Sequence, residues 1–386
     1  MKILYITSDA GWGGSSVALY NIVSELKDRH QIYVFLPTTK GTLGKKLAEI
    51  GVTCFAIPFE MQVYPNLKGG FIKRLKHIYR FIRGFFRLYY AKRNLENVLD
   101  EIKPDIVHLN VGMVDLSLDA CLKRNICHVW HLRDYLDYKF FPSKSYLHRK
   151  LLYKSNHCIA ITKQMFNYYG LRNGQDIIIY DGVINDSYSP NNAINILREK
   201  YFLMVGTIQE IKGIIEGINA FYEFDKHTPG YKLLIAGRWH NDNDYKIQCD
   251  RFIAQNKLMD KVQFLGERDD IYDLMSKATA LLAPNKNEGF GFTIVEAMYN
   301  YCIVIGRNVL GLKEQFDLGL KETGGEIACK FTDDKEIPQL MQIVAKEDLT
   351  MMRDRAYKIV CMHYTTKVNA LKIEAYYKNI LMNIKS

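Results

Sequence analysis

The sequence of 386 residues has no stretch approaching the roughly 18 to 20 consecutive apolar residues that cross a bilayer, so no spanning helix is expected. It also lacks a CxxC pair. Its eight cysteines (Cys54, Cys121, Cys127, Cys158, Cys249, Cys302, Cys329, Cys361) are scattered, several inside apolar runs such as CIVIG and HCIAI. That pattern speaks against a disulfide framework or zinc ribbon and for buried free thiols in a reducing compartment. The start, MKILYITSDAGWGG, is not a signal peptide, because Thr7, Ser8 and Asp9 interrupt the apolar run where it should continue. It reads as a first strand, and a cytoplasmic location is expected. No solenoid repeat or low-complexity tract is present. Acidic residues are missing altogether between Met61 and Leu95.

What remains is a mixed chain, 48% hydrophobic, longer than the usual single domain. Short β-branched runs alternate with helical patterns: ILYIT (Ile3 to Thr7), QIYVFL (Gln31 to Leu36), TCFAI (Thr53 to Ile57), IVHLN (Ile106 to Asn110), HVWH (His128 to His131), HCIAI (His157 to Ile161) and IIIY (Ile177 to Tyr180). Between the first two, Leu19, Ile22, Val23 and Leu26 make one apolar helical face. The rhythm restarts after SPNNAIN (Ser189 to Asn195) with YFLMVG, KLLIAG, VQFLG, ALLAP and CIVIG. The fold expected is α/β: two Rossmann-like domains, 1–190 and 191–364, facing across a cleft, with a terminal helix 365–386 that can pack on either domain, back on the first being one choice. Val368, Leu371, Ala375 and Ile380 are among the apolar positions of that helix.

Two loops carry candidate chemistry. In DAGWGGSS, Gly11, Gly13 and Gly14 precede a helix opened by Ser15 or Ser16, a loop that lets a phosphate or hydroxyl approach backbone amides. The third glycine of GxGxxG is absent and strand two ends in LPTT without an acid, so a nicotinamide enzyme is disfavoured. A plain glycine turn is the alternative. In APNKNEGFGFTIVEAM, Glu288 and Glu296 flank Gly289, Phe290 and Gly291 at a strand-to-helix turn. With Thr293 as helix cap, the first-turn amides favour a diphosphate, and the two carboxylates accept hydrogen bonds from sugar hydroxyls. Thr293 and Glu296 also satisfy a T-x-x-E capping box, which leaves a purely local role open for Glu296. Asp242 and Asp244 form an Asp-x-Asp string, read as ordinary turn residues rather than metal ligands, and Asp269 and Asp270 open the helix at Ile271.

EGFGFTIVEAM, VGTIQEIKG, KLLIAG and VQFLGERDDIYDLMSKATALLAP, with GWGGSS, PDIVHLN, HLRD and IIIYDGV before them, resemble the retaining GT-B glycosyltransferases of family four, also called group 1. The resemblance implies transfer of a sugar from a nucleotide-diphosphate sugar, UDP-sugar favoured, without metal or other cofactor. Glu288, Lys212 and His131 would be catalytic. Glu296 would hold the ribose, and Gly206, Thr207, Phe290, Gly291, Phe292, Thr293 and Arg238 would line the donor site. Thr207 stands where the family commonly has an Arg, and Arg238 is expected to compensate. Gly13, Gly14 and Arg133 fall on the acceptor side. His131 and Arg133 end a first-domain strand, where α/β sheets place ligand groups, although a structural histidine is the competing reading. The same resemblance implies attack on the leaving-group face with no protein nucleophile.

The acid-free segment holds Lys68, Lys73, Arg74, Lys76, Arg80, Arg83, Arg87, Lys92 and Arg93, nearly the whole net charge of +10, interleaved with aromatic and aliphatic residues. Such a helix suits an anionic membrane surface through Lys73, Arg74, Lys76, Arg80, Arg83 and Arg87. No nucleic-acid module accompanies it, so no nucleic-acid partner is expected; a buried helix with a solvated basic face is the other alternative. The function expected is a retaining transferase acting on a saccharide, lipid-linked if the membrane contact holds, in cell-surface polysaccharide synthesis. A nucleotide-sugar epimerase of the same fold and a non-catalytic two-domain ligand binder are the rivals.

Overall fold

The computed structural model describes residues 1–386 except 60–61, 66–69, 111–114, 136–139, 142–145, 147–148, 151–155, 187, 191–196, 240–243 and 386. Lys68, Asp242 and much of the SPNNAIN stretch therefore lie outside the described residues. The chain divides into two compact units: Met1–Gly182 with Thr366–Ser386, and Val183–Thr365. The division falls upstream of SPNNAIN.

The first unit is built on seven parallel strands: β1 (Lys2–Ile6), β2 (Gln31–Leu36), β3 (Thr53–Ala56), β5 (Ile106–Leu109), β6 (Cys127–Leu132), β8 (Asn156–Ala160) and β9 (Ile177–Ile178). Their order is β3-β2-β1-β5-β6-β8-β9, so the winding reverses between β1 and β5. A separate antiparallel pair joins β4 (Gln62–Val63) to β7 (Phe140–Phe141). β1 and β5 are in register from Ile3↔Ile106 to Ile6↔Leu109, which brings their carboxyl ends level. Strands covered on both faces need continuous apolar runs, and Ile3 to Ile6 are all fully buried.

The first helix (Gly14–Leu26) buries Leu19, Ile22, Val23 and Leu26 against this sheet, the face read from the sequence. Each such side chain contributes about 1.5–3 kcal/mol when removed from water. The helix begins at Gly14 and not at a serine cap: Gly13 precedes it without a side-chain bond, and Ser16 is buried with its hydroxyl donated to Asp9.

The terminal helix (Thr366–Lys385) belongs to this unit. Its buried stripe is Ala370, Ile373, Tyr376, Tyr377 and Ile380, spaced three or four apart as one helical face requires. Of the four apolar positions named from the sequence only Ile380 is on that stripe. Leu371 is 45% exposed, because position 371 falls about a third of a turn off the buried line. Thr366 donates to Glu25 at 2.8 Å, Asn369 to the Tyr180 carbonyl at 2.6 Å, and Tyr376 to the Gln175 carbonyl at 2.6 Å.

The second unit repeats the plan with six parallel strands: β10 (Tyr201–Val205), β11 (Lys232–Ala236), β12 (Val262–Gly266), β13 (Ala280–Ala283), β14 (Ile303–Arg307) and β15 (Cys329–Phe331). Their order is β12-β11-β10-β13-β14-β15, with the reversal between β10 and β13. All eight thiols are free and six are buried. No helix among the described residues is long and apolar enough to cross a membrane.

Candidate active site

In an open parallel sheet the winding reversal leaves a crevice at the carboxyl ends of the two diverging strands, and ligands bind there. In the second unit those strands are β10 and β13, and the loops that follow them carry Lys212 and Glu288. The structure brings the pair together: Lys212 Nζ lies 2.6 Å from Glu288 Oε2, and Asn285 Nδ2 donates to the same oxygen at 2.7 Å. A pocket beside them is lined by Lys212, Asn285, Glu288, Gly291 and Thr293. Asn285 had no signal in the sequence beyond its place in the loop.

Gly291 has φ of 91°, and a Cβ there would sit 2.4 Å from Leu312 Cδ2, so only glycine makes this turn. Because Gly291 is itself the residue before the helix (Phe292–Tyr299), Thr293 is inside the first turn and does not cap it. The capping box expected from Thr293 and Glu296 is therefore absent. The carboxylate of Glu296 instead meets the Tyr272 hydroxyl at 3.5 Å, beside Tyr188, whose ring centroid is 4.9 Å from that of Tyr272. Burial pushes Glu296 up to about 7, as for a carboxyl with no cation beside it among the described residues. Phe290 is buried, packed on Phe292 and Tyr364, and its carbonyl accepts from Gln315.

The loops after β10 and β11 cross closely. A Cβ on Gly237, at φ of 153°, would sit 1.8 Å from the Gly206 carbonyl oxygen, so the crossing requires glycine. It sets the Arg238 carbonyl to accept from the Ile208 amide at 3.1 Å, next to Thr207. The Arg238 side chain is exposed, with no ion pair among the described residues. Asp244 opens the helix Asp244–Gln255, and Asp270 precedes the helix Ile271–Lys277 while pairing with Arg268 at 2.5 Å.

In the first unit the diverging strands are β1 and β5. The loop after β1 is exposed from Gly11 to Gly14 and braced by Asp9, which accepts from the Gly11 amide and the Ser16 hydroxyl, both at 2.8 Å. Asn110, just past β5, donates to the Ser15 carbonyl at 3.0 Å and accepts from Arg133 Nε at 3.1 Å. Arg133 also pairs with Asp181 and reaches His131 Nδ1 at 3.2 Å. His131 Nδ1 lies 3.1 Å from His108 Nε2, and His108 Nδ1 lies 2.5 Å from the Tyr377 hydroxyl, which is 3.2 Å from that of Tyr5. The strand-end position of His131 and Arg133 was legible in the sequence; Asn110, Asp181, His108 and Tyr377 were not. Burial and the Arg133 charge together hold His131 and His108 well below the usual imidazole range, so both are neutral at pH 7.

The helix Phe71–Ile102 buries Ala91, Leu95, Val98, Leu99 and Ile102 in its second half. Over 71–90 it exposes Phe71, Ile72, Tyr79, Phe86 and Tyr90, each 60% or more, alongside exposed Lys73, Arg74, Lys76, Arg80, Arg83 and Arg87. Apolar and basic side chains are exposed together there, so over 71–90 the helix is not buried with only its basic face solvated.

Two parallel sheets, each with loops gathered at the reversal of its winding, define a two-domain, doubly wound α/β protein. The description "Glycosyltransferase Family 4" matches residues 12–184 and "Glycosyl transferases group 1" matches residues 191–358. The chain belongs to the group 1 glycosyltransferases of GT-B fold. It is 22% identical over the full length of both chains to the O-antigen biosynthesis glycosyltransferase WclY of Escherichia coli. It is 31% identical over 31% of each chain to a GDP-mannose:cellobiosyl-diphosphopolyprenol alpha-mannosyltransferase of Xanthomonas oryzae. The crystal structure of HepE from Anabaena in complex with UDP superposes with a TM-score of 0.76 at 18% identity, covering 98% of this chain and all of that one.

Proposed function

We propose that the protein is a retaining glycosyltransferase that uses a nucleoside diphosphate sugar, UDP-sugar first among the candidates, and a lipid-linked saccharide acceptor in cell-surface polysaccharide synthesis. The observation that carries this reading is the Lys212–Glu288 pair at the reversal of the second sheet. A diphosphate draws Lys212 away from Glu288, which frees the carboxylate to accept from sugar hydroxyls. The amides of the first turn after Gly291 and the unpaired Arg238 add positive potential for the departing diphosphate. Glu296, lacking a cation, takes the ribose hydroxyls.

In the reaction so read, the acceptor oxygen bonds to the anomeric carbon as the bond to the diphosphate oxygen breaks on the same face. The acceptor proton passes to that leaving oxygen. Positioning and leaving-group stabilisation supply the rate enhancement, with no protein nucleophile and no metal. Gly13 and Gly14 present amides to the acceptor, and Arg133 supports His131. The polyprenol-linked acceptor named for the Xanthomonas relative and the basic aromatic helix support a lipid-linked acceptor, met at the inner face of a membrane.

Calorimetric titration with UDP, GDP, ADP and NAD, without metal, tests the donor site. One diphosphate should bind, and Glu296→Ala should lose about 1–3 kcal/mol of that binding. No binding by any of them, or binding indifferent to the substitution, sinks the assignment. For the helix, Arg80, Arg83 and Arg87 changed together to Gln should weaken sedimentation with anionic vesicles by about 1 kcal/mol per charge while leaving binding to neutral vesicles unchanged.

A further inference from the structure

The hydrogen-bond network around His131 has a direction that its donors and acceptors fix. Guanidinium nitrogens only donate. The 3.2 Å contact between Arg133 and His131 Nδ1 therefore requires a lone pair on Nδ1. A proton on Nδ1 would point at an N–H of Arg133, which Asp181 and Asn110 hold in place from its other nitrogens. With Nδ1 an acceptor, His108 Nε2 at 3.1 Å is the donor to it, and His108 Nδ1 accepts from the Tyr377 hydroxyl at 2.5 Å. His131 Nδ1 then shares its one lone pair between Arg133 and His108, and the rest of the chain runs in this one direction. In the neutral imidazole of His131 the proton then resides on Nε2.

That Nε2 is fully buried and has no hydrogen-bond partner among the described residues. Its nearest carboxylate, Asp181 Oδ1, is 4.0 Å away and already accepts from Arg133. A buried N–H without an acceptor is rare, because its desolvation is uncompensated.

We propose that Arg133 is a positioning residue that locks His131 as the neutral Nε2–H tautomer, so that His131 offers a ligand oxygen a hydrogen-bond donor and never a base. The second half rests on the reading of His131 as a ligand contact; the tautomer does not.

The test uses the full chain labelled with 15N in its histidines and long-range proton–nitrogen correlations across the imidazoles, with the His131 signals identified by their loss in His131→Gln. The expected spectrum shows Nδ1 unprotonated and Nε2 protonated, unchanged from pH 5.5 to 8.5. A proton on Nδ1, or an imidazolium in that range, overturns the proposal. In folded Arg133→Met the constraint is gone, and Nδ1–H should become populated; a spectrum identical to wild type removes Arg133 from the role. If that variant does not fold, the wild-type spectrum still decides the tautomer. Kinetics separate donor from base: the amide of His131→Gln can donate from near the Nε2 position, and its kcat/KM should exceed that of His131→Leu by about tenfold or more, whereas loss of a general base costs both alike about 10²–10⁴-fold. Equal losses count against the donor role. A wild type that transfers from no nucleotide sugar sinks the transferase mechanism proposed above and leaves the tautomer to the spectrum.

Discussion

The two sheets reverse their winding in the same way, yet the charges at the two reversals are managed oppositely. In the first unit Arg133 and Asp181 are enclosed, with side chains 4% and 2% exposed, and every bond around them is made within the protein. In the second unit Lys212 and Glu288 are 27% and 18% exposed beside a pocket, and Glu296 has no cation near it among the described residues. An enclosed ion pair is a frame: it fixes geometry and is costly to break, because either partner left alone is a buried charge. A half-exposed pair is a latch, since solvent or ligand can replace either partner at little cost. The same topology thus yields one site that holds a side chain still and one that exchanges its partners.

The contrast is broken most directly by Arg133→Met. Leaving Asp181 buried without its cation should lower the unfolding free energy by about 3–5 kcal/mol in urea titration, whereas Lys212→Met should change it by less than about 1 kcal/mol. A Lys212 variant as unstable as the Arg133 one would erase the distinction. In a transfer assay the order inverts: Lys212→Met, losing the charge that faces the leaving diphosphate, should lower the rate about 10²–10³-fold at an unchanged unfolding midpoint.

Glu296 sharpens the comparison through pH. Its folded value of about 7 lies above the ordinary 4.5, so burial favours the protonated acid. Relative to Glu296→Gln, the wild type should be most stable below about pH 4.5 and lose up to about 3 kcal/mol as the pH rises through about 7, with denaturation at a series of pH values as the check. A difference that is flat with pH would place a cation beside it after all. The smallest effect belongs to Tyr377→Phe, which removes one buried donor and should cost about 1 kcal/mol or somewhat more in the first unit, seen as faster amide exchange there and not in the second.

Most of this architecture is legible in the chain because parallel strands covered on both faces are apolar runs. ILYIT, KLLIAG and CIVIG could hardly be anything else. β15 escaped because Cys329–Phe331 is three residues long with Lys330 in its centre. Lys212 and Glu288 were each readable as loop residues following a strand, but their pairing was not. Tyr377 and His108 were not, since they meet across 269 residues of sequence and neither has a periodic neighbour to announce it. Asn110, Asp181 and Tyr272 were missed for the same reason: a single polar residue has no period. The Thr293 cap failed for a local reason, because the left-handed Gly291 starts the helix earlier than a capping threonine would.

The terminal helix carries a consequence for how the chain is made. Residues 366–385 complete the first unit, yet they leave the ribosome after all of Val183–Thr365, which is continuous and needs nothing outside itself to close its sheet. The second unit is therefore free to fold first during synthesis, against the usual order from the N-terminus. Until Tyr377 arrives, His108 lacks its donor and the first unit waits with an open seam along β1 and the helix Gly14–Leu26. A nascent chain stalled just after Thr365 should accordingly resist protease in its second unit while its first remains cleavable.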